Sequence, residues 1–164
     1  SGKSTLLSIL CGLLRPTKGT VRYRRPDGSE VPRDSWGRHL GVVAPSMAVY
    51  EELTALENLR FYARVRGLER GDVDHRTLLE EVGLDPDRTT PVRGYSTGMA
   101  QRLKIAQALL HEPEVLFLDE PTIGLDVVAK DRIRTFITHV NRERGTTVIL
   151  TTHDLGDIEQ LFGG

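Results

Sequence analysis

The chain has 164 residues, 22 Lys+Arg against 23 Asp+Glu and a formal net charge of −1, which argues against a nucleic-acid groove or a polybasic membrane anchor. That length suffices for one ordinary domain burying roughly 70% of its extended surface. No apolar run approaches the ~20 residues of a membrane helix and no signal peptide is legible, so a soluble cytosolic domain is expected.

The chain opens Ser1-Gly2-Lys3-Ser4-Thr5. GKST is the tail of the phosphate-binding pattern G-x-x-x-x-G-K-[ST]. There, backbone N–H groups and a helix N-terminus cradle phosphate, the Lys reaches the β/γ-phosphates and the hydroxyl ligates Mg²⁺. By itself the fragment is a weak signal. Leu6, Leu7, Ile9, Leu10, Leu13 and Leu14 predict a helix with one apolar side, ended by Arg15-Pro16-Thr17-Lys18-Gly19. The single cysteine, Cys11, cannot close an internal disulfide. It falls on that apolar side, where a small buried hydrophobe is expected rather than a reactive thiol. The start inside a motif without an initial Met points to a fragment, truncated at both ends.

Thr20–Tyr23 predicts a short strand, Arg25-Pro26-Asp27-Gly28 a turn, and Leu40–Ala44 a second strand ending at Pro45. From Thr54 to about Gly94 the composition is helical. Leu56, Leu59, Ala63 and Arg66 fall at helical spacing, with Phe61, Tyr62 and Val65 beside them. Both aromatics are expected in the core. Gly67–Asp74 predicts a surface loop, and Thr77–Val82 a second helical segment stopped at Gly83.

Ser96, in Tyr95-Ser96-Thr97-Gly98-Met99, is placed to cap a helix running through Leu103, Ala106 and Leu110. Val115–Leu118 is apolar without alternation, as in a strand buried on both faces of a parallel sheet. Asp119 and Glu120 follow at its carboxyl end, where open α/β sheets bind ligands. Adjacent acids there repel and lose hydration, and a bound cation compensates most simply. Asp126 caps a helix to about Arg144. Thr147–Thr151 predicts a strand, followed by His153. His39, His75, His111 and His139 carry no ligand spacing and are expected to be ordinary.

In this order the motifs resemble those of an ATP-binding cassette (ABC) ATPase, the motor subunit of ABC transporters. Gly2–Thr5 matches the Walker A tail, Tyr95–Met99 the signature, Val115–Glu120 Walker B, Gly124-Leu125-Asp126 the D-loop and His153 the switch histidine. The resemblance implies an α/β fold: a P-loop NTPase core with a mainly parallel sheet plus an α-helical subdomain, its N-terminal strands missing. The single domain over 1–164 divides into a core at about 1–45 and 112–164, and a helical subdomain at about 46–111.

The same resemblance implies ATP and Mg²⁺ as cofactors and ATP hydrolysis as the reaction. ATP lies on Gly2, Lys3, Ser4 and Thr5, with Mg²⁺ held by Ser4 and Asp119. Glu120 is the base or water-orienter, and His153 reaches the γ-phosphate. Ser96, Thr97, Gly98 and Met99 face the ATP of a partner subunit, and Asp126 touches that subunit. The implied assembly is a head-to-tail homodimer or heterodimer driving transmembrane permease subunits. It is cytoplasmic and peripheral on the inner face of the cell membrane, with no nucleic acid as partner.

Two departures bear on function. The signature differs from LSGGQ at Tyr95, Thr97 and Met99, and similar YS-x-GM forms occur among exporter subunits, which implies export. Pro45 stands where the family has a glutamine that touches Mg²⁺ and the attacking water. Proline offers neither a polar side chain nor an N–H; either Ser46 partly substitutes, or the contact is missing. Alternative readings are a haem-exporter-type ATPase of cytochrome c maturation, a soluble ABC ATPase acting on the ribosome or DNA, and a regulatory nucleotide-binding module without catalysis.

Overall fold

The computed structural model describes residues 2–68 and 71–162. The sheet is organised around the chain's most apolar run. β2 (Val115–Asp119) lies between β1 (Leu40–Val43) and β3 (Thr147–Thr151), parallel to both. Pairing on each edge satisfies the strand's backbone, while its side chains divide between two cores. Leu116 and Leu118 join Val43, Leu103, Ile105, Ile133 and Val140 on one face. Phe117 joins Leu7, Val31, Trp36 and Leu40 on the other. All three are fully buried, each contributing about 1.5–3 kcal/mol by transfer alone. That two-sided burial is why the run shows no polar alternation.

The first helix, α1 (Lys3–Leu10), is shorter than the leucine pattern predicts. The Leu14 N–H returns to the Ser8 carbonyl (3.0 Å) and turns the chain back after Cys11. Leu7 is buried, whereas Leu6, Leu13 and Leu14 are exposed. Cys11 is half-buried, its thiol donating to the Ser8 carbonyl, and burial pushes its pKa up. The expected strand at Thr20–Tyr23 does not form. A single antiparallel bridge, Arg24 with Glu30, closes over the expected turn at Arg25–Gly28, so the ladder is one bridge long. Tyr23 instead packs edge-on against Trp36, with centroids 4.8 Å apart. Trp36 begins the short α2 (Trp36–His39), which leads into β1.

Thr54 and Glu57 form a reciprocal capping box that starts α3 (Ala55–Val65). Buried Asn58 bonds both backbone groups of Tyr50 (2.8 and 2.9 Å), pinning the preceding loop. Phe61 is not a core residue, whereas Tyr62 is half-buried and packs against the larger core. With Tyr50 they form a surface aromatic cluster in which Phe61 stays 38% exposed. Their ring edges meet one another while Leu59 and Ala63 take the inner face.

α4 (Asp72–Glu81) begins earlier than Thr77, inside the expected Gly67–Asp74 loop. Positions 69 and 70 of that loop lie outside the described residues. The polar first turn hides the helix from an apolar count, while Leu78, Leu79 and Val82 are buried. α5 (Thr97–Leu109) crosses this cluster, and Arg102 donates to the Val82 carbonyl (3.2 Å) and to that of Gly83, closing the end of α4. α6 (Val127–Arg144) and α7 (Leu155–Phe162) complete the chain. His39 pairs with Glu114 (2.8 Å) and His111 with the Leu40 carbonyl (3.0 Å), structural roles for both rings. Among the described residues no helix is long and apolar enough to cross a membrane.

Candidate active site

At the carboxyl ends of β2 and β3, residues far apart in sequence meet. Asp119, the last residue of β2, is 6% exposed and accepts a hydrogen bond from Thr151 Oγ1 on β3. Glu120 follows with φ +51°, a left-handed conformation that costs a non-glycine residue about 1–3 kcal/mol. Its N–H holds that turn by donating to the Thr151 carbonyl (3.0 Å) and hydroxyl (3.2 Å). The turn aims the Glu120 carboxylate toward α1 and toward the connection after β3. Oε1 lies 3.6 Å from Lys3 Nζ, and Oε2 lies 2.8 Å from His153 Nδ1. Lys3 also donates to the Thr152 carbonyl (3.3 Å).

Gly2 precedes α1 at φ +79°, a backbone shape suited to glycine, and no side chain caps the helix. The first-turn N–H groups, with the positive end of the helix dipole, are therefore available to an anion. Ser4 and Thr5 are exposed in that turn. Lys3, Glu120 and His153 thus come together, with Asp119 beside them. Asp119 and Ser4 supply hard oxygen donors, the chemistry that suits Mg²⁺, which takes one or two carboxylates and keeps much of its water.

The signature residues pack elsewhere. Ser96 caps α5 by accepting from the Met99 N–H (3.3 Å). Thr97 is exposed and Met99 packs against the larger core. Gly98 is buried where a Cβ would stand 3.0 Å from Ala129 Cβ on α6. Asp126 caps α6 through the Ala129 N–H (2.8 Å), so the D-loop and signature helix start side by side. Pro45 and Ser46 are exposed just beyond β1, and the Pro45 carbonyl accepts from Lys104 of α5 (3.5 Å).

Sequence reasoning missed the supports. Thr151 orients both Asp119 and Glu120, and its place opposite Asp119 in the β2–β3 register was visible only as a threonine-rich strand end. Asp157, in the first turn of α7 and four residues after His153, is completely buried and bonds Thr122, Thr152 and Arg134. Burial opposes its charge, but those three partners win and hold its pKa below the ordinary carboxylate value. No spacing rule links Asp157 to Arg134 on α6.

A parallel sheet with a glycine-led helix N-terminus, an adjacent lysine and an acid pair at the strand ends defines a phosphate-binding α/β domain. The model of the ABC transporter family matches residues 1–123. The chain is 38% identical over 162 residues to the bacitracin transport ATP-binding protein BcrA of Enterococcus faecalis, covering 98% of this chain and 52% of that protein. It is 40% identical over 161 residues to a fluoroquinolones export ATP-binding protein of Mycobacterium tuberculosis (strain ATCC 25618 / H37Rv), again covering 98% and 52%. Among solved structures it resembles the dimeric post-hydrolysis form of the ATP-binding cassette MJ0796 bound to ADP and Pi. The TM-score is 0.77 at 27% identity, over 97% of this chain and 73% of that one.

The chain belongs to the ABC transporter family. It spans about half the length of these curated relatives, BcrA and the fluoroquinolones export ATP-binding protein.

Proposed function

We propose that this chain is the nucleotide-hydrolysing part of an ABC exporter subunit, working as a head-to-tail dimer, homomeric or heteromeric, beneath transmembrane permease subunits. The observation that carries the reading is the convergence of Lys3 and His153 on Glu120. Relatives named for bacitracin transport and fluoroquinolone export support the direction. Cytoplasmic placement on the inner face of the membrane follows from the same reading.

Each residue then has a task. Gly2, Lys3, Ser4 and Thr5 bind the ATP phosphates, with Lys3 neutralising β/γ-oxygens. Ser4 and Asp119 would hold Mg²⁺, which would supply positive charge to offset that of the ATP phosphates. Glu120 orients the attacking water and accepts its proton on a carboxylate oxygen. His153 steadies Glu120 and stands within reach of a γ-phosphate held by Lys3. Ser96, Thr97, Gly98 and Met99 present the α5 N-terminus to the ATP of the opposing subunit, and Asp126 contacts that subunit.

Domain division follows the same reading. Residues 46–111 act as the helical subdomain that meets the permease, and 1–45 with 112–164 as the nucleotide core. The two parts share one buried cluster, in which Ile105, Leu109 and Leu110 of the helical part meet Val43 and Leu116 of the core. Tyr50 and Phe61 supply exposed aromatic surface on the helical side.

The test is ATP hydrolysis by the full-length protein, alone and with its permease. Magnesium-dependent turnover supports the reading, and ATP binding without turnover in every assembly overturns it.

A further inference from the structure

We infer that Asp157, paired with Arg134, is a positioning residue that clamps the connection after β2 to the connection after β3 and so sets the Glu120–His153 geometry. The inference rests on the ATPase reading of that site. Asp157 is fully buried. Its Oδ2 accepts from Thr122 Oγ1 (2.6 Å) and Thr152 Oγ1 (2.7 Å). Its Oδ1 faces Arg134 Nε (2.7 Å) and a terminal guanidinium nitrogen (2.6 Å). One carboxylate therefore ties together two loops and a helix.

The attachment points are what make the clamp matter. Thr122 lies just past Glu120, in the turn that its left-handed backbone begins; Thr152 immediately precedes His153 and offers its carbonyl to Lys3. Arg134 is in turn held by Gln160 on α7 (2.9 Å). Beside it, Lys130 of α6 pairs with Asp154, which follows His153. Both side chains that meet at 2.8 Å are thus carried on backbone fastened to Asp157. A buried carboxylate whose acceptor sites are filled resists rotation, because any lost bond leaves desolvated charge unanswered.

The experiment uses the full-length protein and two hydroxyl deletions that leave the Asp157–Arg134 pair intact, Thr122→Val and Thr152→Val, with Asp157→Asn as the stronger variant. Loosening one loop should lower kcat roughly tenfold, within the range by which small misplacements slow catalysis. The KM for ATP should stay within about twofold because residues 2–5 are unaltered and the Thr152 backbone carbonyl that Lys3 bonds is kept in the valine variant, and Thr152→Ser should restore the rate. Wild-type kcat in both valine variants, or a loss confined to KM, overturns the inference. A separate readout does not need hydrolysis: the His153 imidazole NMR resonances should shift in Thr152→Val and return in Thr152→Ser. Unchanged resonances refute the clamp, whereas a wild-type protein that binds but never hydrolyses ATP refutes only the ATPase reading.

Discussion

His153 Nδ1 lies 2.8 Å from Glu120 Oε2, although the two residues leave different strands. The carboxylate is thereby fixed at one oxygen while the other faces Lys3 at 3.6 Å. Glu120→Gln keeps the shape and removes the proton acceptor. Hydrolysis by the full-length protein should fall by on the order of 10²–10⁴, with ATP affinity retained. Equal turnover in wild type and variant would remove Glu120 from its role.

Gly98 carries a structural duty besides any role toward a partner's nucleotide. A Cβ there would stand 3.0 Å from Ala129 Cβ. Gly98→Val forces α5 and α6 apart, and overpacking of this kind costs about 1–3 kcal/mol. Chemical denaturation of the isolated subunit should report that loss. A wild-type unfolding midpoint would mean that the glycine is needed only across the dimer.

Pro45 brings a carbonyl but no side-chain donor to the end of β1, and Lys104 takes that carbonyl (3.5 Å). Pro45→Gln adds a side-chain amide at this position, and ATPase activity should rise, either basally or with the permease bound. Identical rates in both assays would indicate that this loop works without the glutamine.

Tyr23 gives a pH signature away from the site. Burial disfavours its phenolate and pushes its pKa up to about 12, while its hydroxyl donates to the Leu10 carbonyl (2.8 Å). The folded pKa is raised, so this contribution to stability is complete below the ordinary tyrosine value of about 10. It is lost as pH rises through about 12. Tyr23→Phe should flatten that alkaline decline in unfolding midpoint; a decline of the same steepness in both proteins would dissociate it from Tyr23.

Much of the site was legible because its parts are local. Gly2-Lys3-Ser4 announces a phosphate turn, Val115–Leu118 with Asp119 and Glu120 announces a buried strand ending in acids, and Ser96 and Asp126 cap the helices they were expected to cap. Each depends on neighbours within a turn or a strand, which sequence spacing encodes directly. That Thr147–Thr151 forms a strand followed the same logic. The errors also have local causes. α4 begins with a polar turn that looks like loop, and α1 stops where a backbone bond to Ser8 turns the chain rather than where the leucines end.

The sequence alone determined the family's motifs, the buried central strand and the identity of the acids, since periodicity and short motifs depend on residues close along the chain. Only the tertiary structure decided what those acids touch. The Thr151 bonds that bend Glu120, the Lys3 and His153 contacts, and the Asp157–Arg134 clamp join residues from separate elements. Such contacts arise from the packing of α1, α6 and α7 around the sheet, and nothing in one-dimensional spacing specifies them.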